Sequence, residues 1–148
     1  MTHSGLYFED FVLDKVYVTA ARKIELHELD AFADLEGGRN AMHLDPEYAK
    51  QTIWGRMSVH GMLIVSMASG LMEGSGFFAG TGLAFLDLSW QFRAAVFVDE
   101  IRVRWSVTDK RLTSRPGRGI ITRTVEVLNQ DDVVVCTGQI KTMMATRD

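Results

Sequence analysis

"GMLIVSMASGLM", residues 61–72, is apolar on almost every side and sets Gly, Ala and Ser between its large side chains. A helix of that composition is buried all round, and its small residues let a sheet approach closely. Everything after Gly82 has a different character. LAFLDLSWQF (83–92), EIRVRWSVTD (100–109), GIITRTVEVL (119–128) and VVVCTGQIKTMM (133–144) are rich in Val, Ile, Thr and aromatics. In the second run Ile101, Val103, Trp105 and Val107 alternate with Arg102, Arg104 and Ser106. That period of two predicts a strand with one dry face and one wet face. TSRPGRG (113–119) and NQDD (129–132) are turn signals between the last three runs.

Upstream, VYVTAARKI (16–24) predicts a first strand. HELDAFADLEGG (27–38) spaces Leu29, Phe32, Ala33 and Leu35 at helical intervals and stops at Gly37-Gly38, a C-terminal helix signal. A loop follows, and DPEYAK (45–50) predicts a short helix with Asp45 as N-cap and Pro46 at its first position. The order strand, helix, loop, buried helix and antiparallel meander is satisfied by an α+β architecture. An antiparallel sheet wraps around the central buried helix, with short helices in the overhanging connection: the hot-dog fold. Residues 1–148 are expected to form one such domain, since 148 residues is an ordinary domain size and no repeat or low-complexity tract divides them.

The bulk chemistry narrows the function classes. With 47% apolar and 24% charged residues the chain has the composition of a soluble globular protein. A net charge of -3 argues against a nucleic-acid partner, which calls for a basic excess. The lone Cys136 excludes an internal disulfide framework and fits a reducing compartment. MTHSGLYFEDFVLDK has no positive n-region followed by an apolar run, so no secretory signal is expected. The longest apolar stretch, HGMLIVSMASGLM (60–72), falls short of the ~20 residues a bilayer span needs. A cytoplasmic protein without a membrane partner is the expectation.

Two places can carry chemistry. The first turn of the 61–72 helix has backbone N–H groups without intrahelical partners and the positive end of the helix dipole. Gly61 there either lets a ligand oxygen reach the backbone, in an oxyanion-type arrangement, or simply allows tight packing against the sheet. From the residues alone packing is the better reading. The second place is LEGGRNAMHLDPEYAK (35–50), where His43 is either a general acid–base group or a loop histidine bonded to backbone. His43, Asp45 and His60 lack a further ligand at helical spacing, so no metal is expected. Ser66, Ser69 and Glu73 share a helical stripe, where hydroxyls usually bond back to the preceding turn. Neither serine sits in a Gly-x-Ser-x-Gly elbow. The basic run KRLTSRPGRG (110–119) reads as a solvated hairpin loop, and with neither P-loop nor dinucleotide fingerprint no cofactor is expected.

Taken together, FADLEGGRNAMHLDPEYAK and WGRMSVHGMLIVSMASGLM resemble the MaoC-like dehydratase family, which includes the (R)-specific enoyl-CoA hydratases. The family pattern is approximately Gly-Asp-x-Asn-Pro-x-His-x-Asp, then His-Gly-Met and a Ser-Gly further along. The 17-residue interval from His43 to His60 agrees with it. The resemblance extends over almost the whole chain. It implies a homodimer acting on acyl thioesters of coenzyme A or acyl carrier protein, by reversible hydration of a trans-2-enoyl thioester. It makes His43 the catalytic histidine and Gly61 the residue whose N–H holds the thioester oxygen, reversing the packing reading. Asn40, His60 and Ser69 become substrate-binding candidates.

Three positions depart from the pattern. The catalytic aspartate falls on Gly38, the motif proline on Ala41, and the proline before His-Gly-Met on Met57. Asp45 does not fill the vacancy, because family members carrying the aspartate have an acid there too. Glu36 or Asp34 would reach in only if the Gly37-Gly38 turn redirects the loop. Three activities are compatible with this sequence: a hydratase or dehydratase, a non-catalytic thioester-binding subunit of a heterodimer, and a thioesterase.

Overall fold

The computed structural model describes residues 5–148, so the first four residues of the stretch read for a signal lie outside it. Two strand segments, β1 (Val16–Val18) and β2 (Arg22–Lys23), precede α1 (Leu26–Glu36) and two short helices, α2 (Ala41–Leu44) and α3 (Pro46–Ala49). Then come the long α4 (Gly61–Glu73) and the strands β3 (Gly82–Phe92), β4 (Glu100–Leu112), β5 (Arg118–Asn129) and β6 (Val134–Ala145). All pairings between strands are antiparallel, in the order β1-β4-β5-β6-β3, with β2 also on β4. Among the described residues no helix is long and apolar enough to cross a membrane.

The meander forms where the pattern placed it. Ile101, Val103, Trp105 and Val107 on β4 are buried beneath α4, whose Leu63, Ile64, Met67, Ala68 and Met72 join the same core. Each fully buried large apolar side chain in this contact contributes roughly 1.5–3 kcal/mol. The helix is not buried all round, however. Met62, Ser66, Gly70 and Glu73 form an exposed stripe, because the sheet covers one side of α4 and α1 approaches another. Ser66 on that stripe donates to the Met62 carbonyl at 2.8 Å, the expected back-bond.

Two elements differ from expectation for local reasons. The first strand is split after Val18. Thr19 N–H donates to the Val103 carbonyl at 2.9 Å, and the Thr19 hydroxyl accepts from Val103 N–H at 3.0 Å. A side chain thus takes the place of a ladder carbonyl and the chain leaves the sheet until Arg22. On β5, Ile120 to Arg123 are buried without alternation. The 3-10 turn Phe8–Asp10 lies across this strand, and a Cβ on Gly119 would fall 2.2 Å from Phe8 Cδ2. Glycine is what makes room for the ring.

Candidate active site

The overhang between α1 and α4 sets the position of His43. α1 ends at Gly37, whose φ of 89° is the left-handed conformation that glycine adopts without a Cβ penalty. Its N–H donates to the Ala33 carbonyl at 2.9 Å. The expected loop then contains one more helical turn, α2, capped by the Asn40 side chain accepting from Met42 N–H at 3.1 Å. The next turn starts as the sequence indicated, with Asp45 accepting from Glu47 N–H at 2.9 Å and Tyr48 N–H at 3.2 Å. His43 is therefore carried on a rigid turn between two capped helix starts.

Its imidazole has a defined orientation. His43 Nδ1 lies 2.6 Å from the carbonyl oxygen of buried Ser58. A carbonyl only accepts, so the neutral ring carries its proton on Nδ1 and presents the Nε2 lone pair. The ring stacks on His60, with centroids 4.1 Å apart and an interplanar angle of 27°. His60 is 5% exposed, neither of its nitrogens has a hydrogen-bond partner, and Phe32 packs edge-on against it at 5.1 Å. Burial first, and the neighbouring His43 second, push its pKa below the ordinary 6.5, while the charge of Glu36 acts the other way.

His60 is also the N-cap residue of α4, although its side chain makes no cap bond. Its carbonyl accepts from Leu63 N–H at 3.0 Å and Ile64 N–H at 3.1 Å. The N–H groups of Gly61 and Met62 precede the first helical bonds and have no partner within the helix. Gly61 opens on a cavity of about 280 Å³ whose lining includes Met42, His43, Trp54, Ser58, Ile64 and Phe92. The tip of the Phe92 ring stands 3.0 Å from where a Gly61 Cβ would be. Gly61 thus stands close against Phe92 and also lines the cavity. A larger groove of about 610 Å³ runs between α1 and α4, but its charged pair, Arg22 and Glu28, is closed on itself at 2.7 Å.

The structure brings His43 and Gly61 to one cavity and leaves the other candidates outside its lining. Asn40 is a helix cap, His60 backs the His43 ring, and Ser69 lies half-buried two turns along α4. Ser58 and Phe92 escaped the sequence reading: a carbonyl acceptor leaves no side-chain signature, and Phe92 looked like any strand residue. Asp34 is committed, together with Asp30, to an ion-pair cluster with Arg39. Glu36 does turn back over Gly38: its Oε1 is 2.9 Å from the point where a Cβ on Gly38 would stand.

The antiparallel sheet around a helix, with a histidine held over that helix's first turn, places the molecule in the α+β class of hot-dog proteins. Its family follows from the match of residues 10–129 to the model described as "MaoC like domain", and the chain belongs to that family. It is 36% identical to the (R)-specific enoyl-CoA hydratase of Aeromonas caviae over 113 residues, which are 76% of this chain and 80% of that protein. The MaoC-like dehydratase from Rhodospirillum rubrum superposes with a TM-score of 0.87 at 25% identity, covering 97% of this chain and 99% of the other. A conserved hypothetical protein from Mycobacterium tuberculosis, described as having a double hotdog fold, gives a TM-score of 0.85 at 21% identity. There the match covers 96% of this chain and 44% of that one.

Proposed function

We propose that this chain, acting as one domain, is a hydratase or dehydratase of enoyl and 3-hydroxyacyl thioesters carried on coenzyme A or acyl carrier protein. The observation that carries the reading is the convergence of His43 and Gly61 on one cavity, with the His43 tautomer held by the Ser58 carbonyl. The likeness to an (R)-specific enoyl-CoA hydratase supports the same substrate class. In hydration, the thioester oxygen accepts from Gly61 N–H at the positive end of α4, where enolate charge is stabilised. His43 Nε2 takes a proton from water as the water oxygen bonds Cβ. The π pair of the alkene shifts toward the carbonyl, and the imidazolium returns the proton to Cα. Ser58 keeps Nδ1 protonated throughout, so only Nε2 exchanges protons with the substrate.

The same reading includes a homodimer formed through β3. This strand is a sheet edge on which Leu83, Phe85, Leu86, Leu88 and Phe92 are all exposed. An unpaired edge with that apolar load is a template for a second strand.

The test is hydration of crotonyl-CoA, followed by loss of enoyl absorbance in wild type and His43→Ala. Turnover that drops by about 10²–10⁴-fold in the variant supports the assignment. Equal rates in both proteins remove His43 from the mechanism. Release of free thiol without loss of the enoyl signal would make the protein a thioesterase instead. A wild type that binds but never turns over would make it a binding subunit.

A further inference from the structure

We propose that His60 is a positioning residue for this site. Its ring is the flat wall that fixes the direction of the His43 Nε2 lone pair relative to the Gly61 N–H, a role that deepens the proposed hydratase reading and rests on it.

The run Ser58–Gly61 supplies the fixed points around the His43 ring. The Ser58 carbonyl accepts from Nδ1 at 2.6 Å, the His60 ring lies against the imidazole at 4.1 Å, and Gly61 lines the cavity that His43 also lines. Ser58, Val59 and His60 are buried, and Val59 N–H donates to the Val96 carbonyl at 2.7 Å, which ties the run to the chain ahead of β4. A hydrogen bond at Nδ1 alone leaves the imidazole free to turn about that bond and to swing Nε2 through an arc. A second, flat contact closes the arc to one direction. His60 and Gly61 are consecutive, so the base and the carbonyl-holding N–H take their positions from one stretch of backbone.

His60 acts from behind. It is absent from the lining of the cavity, and Phe32 of α1 packs edge-on against it at 5.1 Å. With both nitrogens buried and unpartnered it has no hydrogen bond to give, so what it offers His43 is a face. Burial also keeps that face uncharged, outweighing the opposite pull of the Glu36 charge. Two imidazolium rings stacked this closely would repel each other. A neutral His60 leaves the proton taken from water on His43 alone.

The variants are His60→Leu, which fills the space without a flat face, and His60→Phe, which keeps one. In crotonyl-CoA hydration His60→Leu is expected to lower kcat on the order of 10²-fold with KM little changed, as misdirection of a reacting group does. His60→Phe should recover most of that loss, to within about threefold of wild type. NMR relaxation of the His43 ring needs no substrate. The ring should be as rigid as the backbone in wild type and His60→Phe, and should gain fast motion in His60→Leu. Should His60→Leu fail to fold, Phe32→Ala takes its place: it removes the ring behind His60, leaves the cavity lining intact, and should loosen His43 and lower kcat in the same way. Full wild-type kcat in His60→Leu, or an equal loss in the Leu and Phe variants, overturns the assignment while the hydratase reading stands. A His43 ring that stays rigid in His60→Leu overturns it independently of activity. If wild type itself hydrates no enoyl-CoA, the hydratase reading fails, and the relaxation data alone decide whether His60 holds His43.

Discussion

His43 and His60 form a stacked pair whose members have opposite roles. His43 reaches the cavity with one nitrogen pinned, while His60 is sealed behind it with both nitrogens unpartnered. Burial depresses the folded-state pKa of His60 below its ordinary 6.5. The unfolded chain therefore takes up this proton first as the pH falls, and the stability contributed by neutral His60 is complete above about pH 6.5 and lost below it. Urea midpoints should fall between about pH 7.5 and about pH 5.5. His60→Phe, which keeps a ring in the stack, should flatten that slope. Gly61 yields a second expectation. Gly61→Ala places a methyl 3.0 Å from the flexible tip of Phe92, so the fold should survive while kcat/KM drops by about 10²-fold as the carbonyl site is obstructed. A steady-state assay beside a melting curve separates the two effects. At this scale the placement of His43 and Gly61 was legible, because each stands beside a helix start. The carbonyl of Ser58 was not, since it is backbone, and the sequence left Glu36 and Asp34 as alternatives that only the turn angle at Gly37 separates.

Among the elements, α1 and its glycine stop do the most to position the site. Gly37 holds φ at 89°, so Gly37→Ala should cost about 1 kcal/mol in denaturant unfolding and lower turnover by shifting α2, which carries His43. Asn40→Ala removes the cap of the turn that carries His43, again about 1 kcal/mol, with kcat falling more than KM rises. Helix stops and caps were readable because they are local: Gly37, Asp45 and Pro46 act within a turn of where they stand. Strand β4 was readable for the same reason, its alternation being written in consecutive residues. The break between β1 and β2 was not, because it hangs on the Thr19 hydroxyl meeting a partner 84 residues away. Nor was the two-sided burial of β5, which depends on Phe8 arriving from the other end of the chain.

At the scale of the whole molecule, the interior of the sheet tolerates a buried charge. Arg123 is 3% exposed, donates to Thr142 at 2.9 Å and lies 4.4 Å from the Phe78 ring centroid, with burial pushing its pKa down to about 10. Replacing such a group by an apolar side chain of similar length is often neutral or stabilising, so Arg123→Met should leave the urea midpoint equal or higher, whereas Arg123→Ala should lower stability by about 2–5 kcal/mol through the cavity it leaves. The outer edge of the sheet has a different consequence. Phe92, which overlies Gly61, ends β3, the strand through which the homodimer is proposed to form. In that homodimer self-association and the shape of the cavity would be linked equilibria. Specific activity should decline on dilution below the dimer dissociation constant and recover on reconcentration, and substrate, by bracing Phe92, should hold the two copies together at concentrations where the empty protein separates.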